Sequence, residues 1–449
     1  MYDSIKQLTG KGGYFFVEDK MKAALLNLGC KVNAYETESM EQLLVEAGYE
    51  IVDFDEKADV YVVNTCTVTG TADAKSRQMI HRARKNNDEA IVVACGCFVQ
   101  LDKDAAKDPK GADILIGNNH KSEIIKRIEE FKGNRDEYCA MTDIDTEKDY
   151  EEMYLSSTRE HTRAFVKIQD GCNRFCSYCL IPYARGRARS RLSKNVIEEV
   201  GRLAQSGTKE IVLTGIHVSS FGEDTGEKLI TLIQELEKIE GIERIRLSSL
   251  EPGIITEEFV SELSKVKKLC PHFHLSLQSG CDKTLAAMNR HYTADEYKKK
   301  CDIIRSYFDH PALTTDIIVG FPGETEEDAQ ITYDFAKEIG FYEIHVFKFS
   351  PRKGTKAASM KDMLTNAVKS ERSSRLIALG EEMKEEFISY YLDKEVAVLS
   401  EEMVSIDGRD YMQGYTKEYI KAYLPTDSKA NSICEGFVRK MEKGAVFVE

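Results

Sequence analysis

No uninterrupted apolar stretch in the 449 residues approaches the roughly 18 that a membrane helix needs, and the start of the chain carries no secretory h-region. The first absence argues against a membrane span. The second makes the cytoplasm the expected compartment. Positive charge is in deficit, with 62 Lys and Arg against 76 Asp and Glu and a net charge of −14. Taken alone that argues against a nucleic-acid partner, but binding depends on local patches and not on the total. What the chain does carry is cysteine. Twelve of them, with no signal peptide, point to metal or redox chemistry, because disulfides do not persist in a reducing compartment. The composition, 42% hydrophobic and 31% charged, is that of a globular protein, and at about 150 residues per domain the length predicts roughly three domains.

Cys172, Cys176 and Cys179 fall at C-x-x-x-C-x-x-C spacing in DGCNRFCSYCLIPYARGRARSR (170–191), directly after the strand-like run AFVKIQ. A structural zinc site closes with a fourth Cys or His at short spacing, and the nearest downstream histidine, His217, is far away in sequence. A cuboidal iron–sulfur cluster takes four ligands, so three cysteines leave one iron open. An open iron can chelate the amino and carboxylate groups of S-adenosylmethionine (SAM) and pass on an electron that splits its sulfonium.

Residues 1–20, including GKGG, show no period and read as a dispensable extension or a misassigned start. From Met21 to about residue 145, apolar runs (KAALLNLG, DVYVVNT, AIVVAC, ADILIG) alternate with helical segments near 33–47, 72–85 and 121–131. That alternation predicts a doubly wound parallel sheet, an α/β fold. Cys30, Cys66 and Cys97 each follow one of its strands. Ligands in such sheets bind beyond the carboxyl ends of the strands, so these three thiols are expected to meet and form a second open cluster. Cys95 rivals Cys97, but it still lies in the apolar run, whereas Gly96 opens the backbone before Cys97. Residues 135–160 are acidic, lack an apolar face and read as a linker, with Cys139 incidental in it.

Between about 158 and 385, six β-type runs (AFVKIQ, EIVLTG, RIRLSS, HFHLSLQ, LTTDIIVG, EIHVFKF) are mostly followed by helices. Thr293/Glu296 and Thr325/Asp328 fit the capping box. Six βα units make a partial barrel with its chemistry at the carboxyl ends of the strands. Gly215, Ile216 and His217 are candidates for the amino group of SAM, Ser276 and Gln278 for its ribose, and the GFPGE turn for its adenine. Glu251, before Pro252, is a further candidate for this site. Arg185, Arg187, Arg189 and Arg191 alternate after the cysteine motif, a comb suited to the SAM carboxylate, to RNA phosphates, or to both. Cys270, Cys281 and Cys301 lack ligand spacing. From about 386 to 449, short alternating strands predict a small β-barrel, in which Tyr411, Tyr415, Tyr419, Tyr423 and Phe437, with Lys417, Lys421 and Arg439, are candidates for stacking on RNA bases.

LGCKVNAYETE, NTCTVT, GCFVQ, IQDGCNRFCSYCLIPYARGRARSR, LTGIHVSSFG, LSLQSG and VGFPGET together resemble the radical SAM methylthiotransferases, and within them the MtaB-type tRNA branch. The resemblance runs from about Met21 to the C-terminus and includes a TRAM-like last domain. It implies methylthiolation at C2 of N6-threonylcarbamoyladenosine at position 37, in the tRNA anticodon loop. It also implies two 4Fe–4S clusters, on Cys172/Cys176/Cys179 and on Cys30/Cys66/Cys97, and two SAM molecules per turnover. A reducing electron donor such as flavodoxin and a sulfur donor are the expected partners. The rival substrates are isopentenyladenosine in tRNA and a ribosomal protein. A rival of another class is a non-catalytic, zinc-dependent RNA-binding protein.

Overall fold

The computed structural model describes residues 20–102, 111–134, 138–158 and 162–449, so the stretch read as a dispensable leader lies outside the described residues up to Glu18 and Asp19. From Lys22 the alternation holds. Strands β1 (Lys22–Asn27), β2 (Glu50–Ile51), β3 (Val60–Thr65), β4 (Ile91–Gly96), β5 (Ile114–Ile116) and β6 (Tyr138–Ala140) form one parallel sheet in the order β2-β1-β3-β4-β5-β6. VYVVNT in β3 is buried at every position, as expected of a parallel strand covered on both faces. One face packs Ala24, Tyr61, Val63 and Val92 against the helix Gly70–Asn86. The other packs Val60, Val62 and Val93 into a core continuous with that of the next domain.

The acidic stretch 135–160 is not a linker where it is described. Tyr138–Ala140 adds the sixth strand, and Ile144, Met153 and Leu155 are buried. Tyr35 donates its hydroxyl hydrogen to the carbonyl of Met153 at 2.7 Å. These apolar residues stand singly among acids and carry no period, so pattern reading passes over them.

The barrel strands are β7 (Arg163–Asp170), β8 (Arg189–Ser190), β9 (Glu210–Gly215), β10 (Arg244–Leu247), β11 (His272–His274), β12 (Ala312–Val319) and β13 (Glu343–Lys348). They make two sheets, β10-β9-β7-β8 and β11-β12-β13, joined by the bridges Ile245↔Leu269 and Leu250↔Leu275. Six of the strands are parallel and form the expected open barrel, and β8 pairs antiparallel at the edge of β7. Both expected capping boxes, Thr293/Glu296 and Thr325/Asp328, are formed. The boundary expected at 385/386 falls inside the helix Asn366–Ser389. The change to short strands comes at Glu395, because the helix carries its apolar positions through Phe387 and Ile388.

The last strands, β14 (Glu395–Ile406), β15 (Arg409–Thr416), β16 (Lys421–Leu424), β17 (Ile433–Glu442) and β18 (Ala445–Val448), close in the order β14-β15-β16-β18-β17. This small barrel docks on the amino ends of the larger one. Arg244 donates to the carbonyls of Tyr415 (2.8 Å) and Ala397 (2.7 Å), and Arg246 donates to that of Lys417 (2.8 Å). Tyr415 and Tyr419 stack on each other and face Arg163. These two tyrosines, proposed from sequence as base platforms, are therefore spent on the domain interface.

Candidate active site

The Cys172 loop leaves the carboxyl end of β7. Its entry and exit are held back to back by Gly171 and Gly186, both at φ +71°, and a Cβ on Gly171 would lie 1.9 Å from the carbonyl oxygen of Arg187. Only glycine fits there. Within the loop the amide of Cys172 donates to the Gly186 carbonyl, and that of Cys179 to the Cys176 carbonyl, each at 3.0 Å. Burial, reinforced by the neighbouring thiols, pushes Cys172 up to about 11 and Cys179 up to about 12. Binding of a metal displaces the protons of such thiols.

Arg290 links this loop to the strand ends. Its Nη1 donates to Cys176 Sγ at 3.4 Å, and its Nη2 lies 3.5 Å from Glu251. Its Nε donates to Tyr292 Oη at 3.0 Å, and that hydroxyl donates to the Ser276 carbonyl at 2.7 Å. Glu251 also pairs with Arg174 (2.5 Å) and with Nε2 of His217 (3.0 Å). Burial alone would raise the Glu251 carboxyl, but the His217 hydrogen bond and charge, with Arg290 and Arg174, hold it below the usual range. Gly215 closes against Gln169, whose Oε1 accepts from the His217 amide at 2.7 Å. Gln278 sits at φ +72° two residues after Ser276. The ends of β9, β10 and β11 thus bring Gly215, Ile216, His217, Glu251, Ser276 and Gln278 to one rim beside the cysteine loop. In the GFPGE turn, the Gly320 amide donates to Glu324 Oε1 at 2.9 Å. Hydrogen bonds to cluster sulfurs tune reduction potential, so Arg290→Met should shift the potential of a reconstituted cluster and slow SAM cleavage by roughly tenfold, the loss of one charge-assisted bond. Protein-film voltammetry checks the first and a 5′-deoxyadenosine assay the second.

Cys30, Cys66 and Cys97 follow β1, β3 and β4. Gly29, at φ +121°, lets the chains close up, since a Cβ there would lie 3.0 Å from Cys66 Cβ and 3.1 Å from its sulfur. Gly96, at φ +96°, does the same before Cys97, where a Cβ would lie 2.6 Å from Thr65 O. Burial pushes Cys66 up to about 11, and charge on Cys97 and Cys30 adds to it. Cys97 likewise acts on Cys30. Asn118 Nδ2 donates to Cys97 Sγ at 3.5 Å and to the Ala184 carbonyl at 2.7 Å. Cys95 goes to the other face of the sheet, into the core with Val62, Val93 and Ile116, where burial pushes its thiol up to about 12.

A buried charge network ties the two cysteine sets together. Arg185, six residues after Cys179, donates through Nη1 to Glu36 Oε1 (2.9 Å) and to both oxygens of Asp170 (3.0 Å). Its Nη2 donates to Asn33 Oδ1 (2.7 Å) and Glu36 Oε2 (3.1 Å). Lys121 pairs with Glu36 at 2.6 Å, and Lys167 pairs with Glu36 and Asp170 at 2.7 Å each. Burial disfavours both carboxylates, but Arg185, Lys121 and Lys167 outweigh it at Glu36, and Arg185, Lys167 and Arg189 at Asp170, and hold both below the usual range. The Arg185 charge also reaches Cys30 and Cys97.

The arginine comb is therefore not a comb. Arg185 is saturated inside the protein, Arg189 is buried, and Arg191 is buried against Glu199, Glu152 and the Met153 carbonyl. Arg187 alone is exposed, over the ring of Phe175 at 4.5 Å. Alternation suggests one solvent face, but the run turns through a five-residue helix, Ile181–Arg185, and the strand β8, which breaks the period. Asn33, Glu36, Asn118, Lys121, Lys167, Arg174 and Arg290 were not singled out from sequence. Glu36 and Asn33 lie in LGCKVNAYETE, where polar residues in the first turns of an otherwise buried helix were the available signal.

The donor set fits iron–sulfur clusters better than single ions. Zn–S bonds of about 2.3 Å in a tetrahedron place sulfurs about 3.8 Å apart. Among the described residues no three cysteine sulfurs lie within 4.8 Å of one another, although each set is mutually coupled through its charges. Three soft thiolates in each set suit an iron–sulfur cluster.

Residues 166–336 match the family described as the Radical SAM superfamily, and residues 22–117 match the one described as Uncharacterized protein family UPF0004. The threonylcarbamoyladenosine tRNA methylthiotransferase MtaB of Bacillus subtilis is 42% identical over 401 residues, 89% of either chain. Its namesake in Aquifex aeolicus is 42% identical over 84% of this chain and 92% of its own. The tRNA-2-methylthio-N(6)-dimethylallyladenosine synthase of Alkaliphilus oremlandii is 35% identical over 88% of this chain and 85% of its own. The fold is similar to that of the radical SAM methyltransferase TsrM of Kitasatospora setae, solved with cobalamin and a 4Fe–4S cluster (TM-score 0.57, 16% identity, 76% of this chain and 77% of that one). Two cysteine sets on these two domains, with relatives of this identity along most of the length, establish that the chain belongs to the radical SAM methylthiotransferase family.

Proposed function

We infer that this enzyme adds a methylthio group at C2 of N6-threonylcarbamoyladenosine at position 37 of tRNA, giving 2-methylthio-N6-threonylcarbamoyladenosine. The observation that carries the reading is the buried Arg185–Glu36–Asp170 network, which joins the domain carrying Cys30, Cys66 and Cys97 to the one carrying Cys172, Cys176 and Cys179. Radical substitution at an unactivated ring carbon needs a hydrogen acceptor and a sulfur source held on either side of one base. When bound, a cluster with SAM supplies hydrogen abstraction and a second cluster supplies the sulfur to be methylated and transferred.

In this reading Cys172, Cys176 and Cys179 hold the first cluster, with Arg290 donating to Cys176. Cys30, Cys66 and Cys97 hold the second, with Asn118 donating to Cys97. The rim of Gly215, Ile216, His217, Glu251, Ser276 and Gln278 orients SAM, and Arg185 serves as a brace rather than a cofactor ligand. Tyr411, Tyr423 and Phe447, in mutual ring contact beside Arg409, Arg439 and Lys440, are the small barrel's surface for the anticodon arm. A reducing protein such as flavodoxin and a sulfide donor complete the reaction, and oxygen-sensitive clusters suit a cytoplasmic setting. No helix of the described residues is long and apolar enough to cross a membrane.

The test is anaerobic incubation of the reconstituted enzyme with SAM, reductant and tRNA bearing N6-threonylcarbamoyladenosine, followed by mass analysis of the nucleosides. The 2-methylthio nucleoside is the expected product. Turnover of dimethylallyladenosine tRNA or of a ribosomal protein, but not of this substrate, would contradict it. Affinity for tRNA should also fall with salt, with a log–log slope proportional to the phosphates neutralised.

A further inference from the structure

Three neighbouring strands of the larger barrel turn a polar patch inward. Side chains alternate across a strand, and Phe273 of β11, Leu313 and Ile317 of β12, and Ile344 and Val346 of β13 pack in or against the outer core. His274, Asp316 and His345, each offset by one residue from these, therefore share the lumen face. The parallel register sets His274 beside Thr314 and Asp316 beside His345. Ile318, the next lumen-facing residue of β12, packs in the same apolar cluster as Tyr178 of the cysteine loop. The three polar side chains thus lie about 7 Å along the strand, one inward-facing step, below that layer. None of them is within two residues of a cysteine.

One ring nitrogen from each histidine and one carboxylate oxygen of Asp316 all lie within 4.8 Å of one another. Two imidazoles and a carboxylate are a donor set for a divalent first-row metal, with coordination positions left open. His274 Nε2 is buried, has no hydrogen-bond partner among the described residues, and stands 3.4 Å from Asp316 Oδ2. The other nitrogen of that ring, Nδ1, lies 3.0 Å from Thr314 Oγ1. A ligating histidine donates its second ring N–H to an oxygen placed like this one, which turns the lone pair of Nε2 toward the metal. The His345 ring stacks 6.0 Å from that of His274 and is exposed, which gives an ion its way in. A simple ion pair between His274 and Asp316 explains less, because it uses neither His345 nor the Nε2 atom, which makes no hydrogen bond.

We propose that His274, Asp316 and His345 form a metal site separate from the two cysteine sets, which binds one divalent first-row transition metal ion. Thr314 holds the His274 ring in the ligating orientation. The thiolates of the cysteine sets suit soft iron–sulfur centres, whereas these nitrogen and oxygen donors suit a single borderline ion. Three protein ligands leave positions open toward the lumen, so the ion presents a Lewis acid to an oxygen donor that enters there.

The experiment titrates the reconstituted enzyme, its thiols occupied by iron and sulfide, with Mn²⁺ and follows the free ion by electron paramagnetic resonance while the clusters are oxidised and silent. About one Mn²⁺ per chain should bind, and Zn²⁺, which such sites hold more tightly, should displace it without changing the iron content. Asp316→Asn and His345→Ala should each lose the bound Mn²⁺. Thr314→Val, which removes only the partner of Nδ1, should weaken binding by roughly tenfold to a hundredfold. Because His345 is exposed, His345→Ala decides the matter even where a buried substitution disturbs folding, and iron content reports cluster loading in each variant. No stoichiometric Mn²⁺ in the wild type, or binding that His345→Ala leaves unchanged, would overturn the proposal. Neither readout involves tRNA or turnover, so the substrate assignment stands or falls separately.

Discussion

Replacing Glu36 by glutamine should destabilise the apo protein by about 3–5 kcal/mol, the cost of breaking a buried ion network by removing one partner. Arg185, Lys121 and Lys167 share Glu36 and Asp170 inside the protein. Without Glu36, three buried cations face one carboxylate. Hydrophobic packing does not compensate, because the site is lined by Asn33, Asn118 and Lys167 and offers no apolar wall to collapse onto. Since Glu36 lies six residues after Cys30 and Arg185 six residues after Cys179, iron loading of both cysteine sets should fall together. Urea unfolding of the apo protein and iron analysis after reconstitution measure the two effects, and a loss below about 1 kcal/mol would show the network to be dispensable. The pH dependence has a definite sign. Carboxylates whose folded pKa is depressed stabilise the protein above their unfolded value near 4, and they lose that contribution only as pH falls through the folded value. The network should therefore hold at pH 5 and fail only in stronger acid.

The second large effect separates neighbouring cysteines. Cys97→Ala should abolish methylthiolated nucleoside, a loss of at least about a thousandfold in product rate on the scale of removing an essential group, while reductive cleavage of SAM continues. Cys95→Ala should keep product formation and cost about 1–2 kcal/mol of stability for a small core cavity, since Cys95 faces Val62 and Val93. Cys176→Ala should lose both activities. If Cys97→Ala lost SAM cleavage as completely as Cys176→Ala, the division of labour between the cysteine sets would fail.

Much of this was legible in the residues alone. Periodicity gave the parallel sheet, the six barrel strands and the small closed barrel, because each buries a face whose pattern repeats every two or 3.6 residues. Cysteine position relative to strand ends is what led to the expectation that Cys30, Cys66 and Cys97 share one site across more than sixty residues of chain, and the structure places each of them shortly after β1, β3 or β4. Pattern failed where a polar residue is buried by pairing. Arg185, Arg189 and Arg191 read as part of a comb for the SAM carboxylate or RNA phosphates, and sequence carries no mark of Glu36 or Glu199 waiting inside for two of them.

The claim on which the rest depends is that the two cysteine sets carry two clusters, and anaerobic reconstitution with iron and sulfide measures it. The wild type should bind about eight iron atoms per chain with broad visible absorption, and the triple variant Cys30→Ala/Cys66→Ala/Cys97→Ala should bind about four and still cleave SAM. About four iron atoms in the wild type, or stoichiometric zinc without colour, would contradict the account.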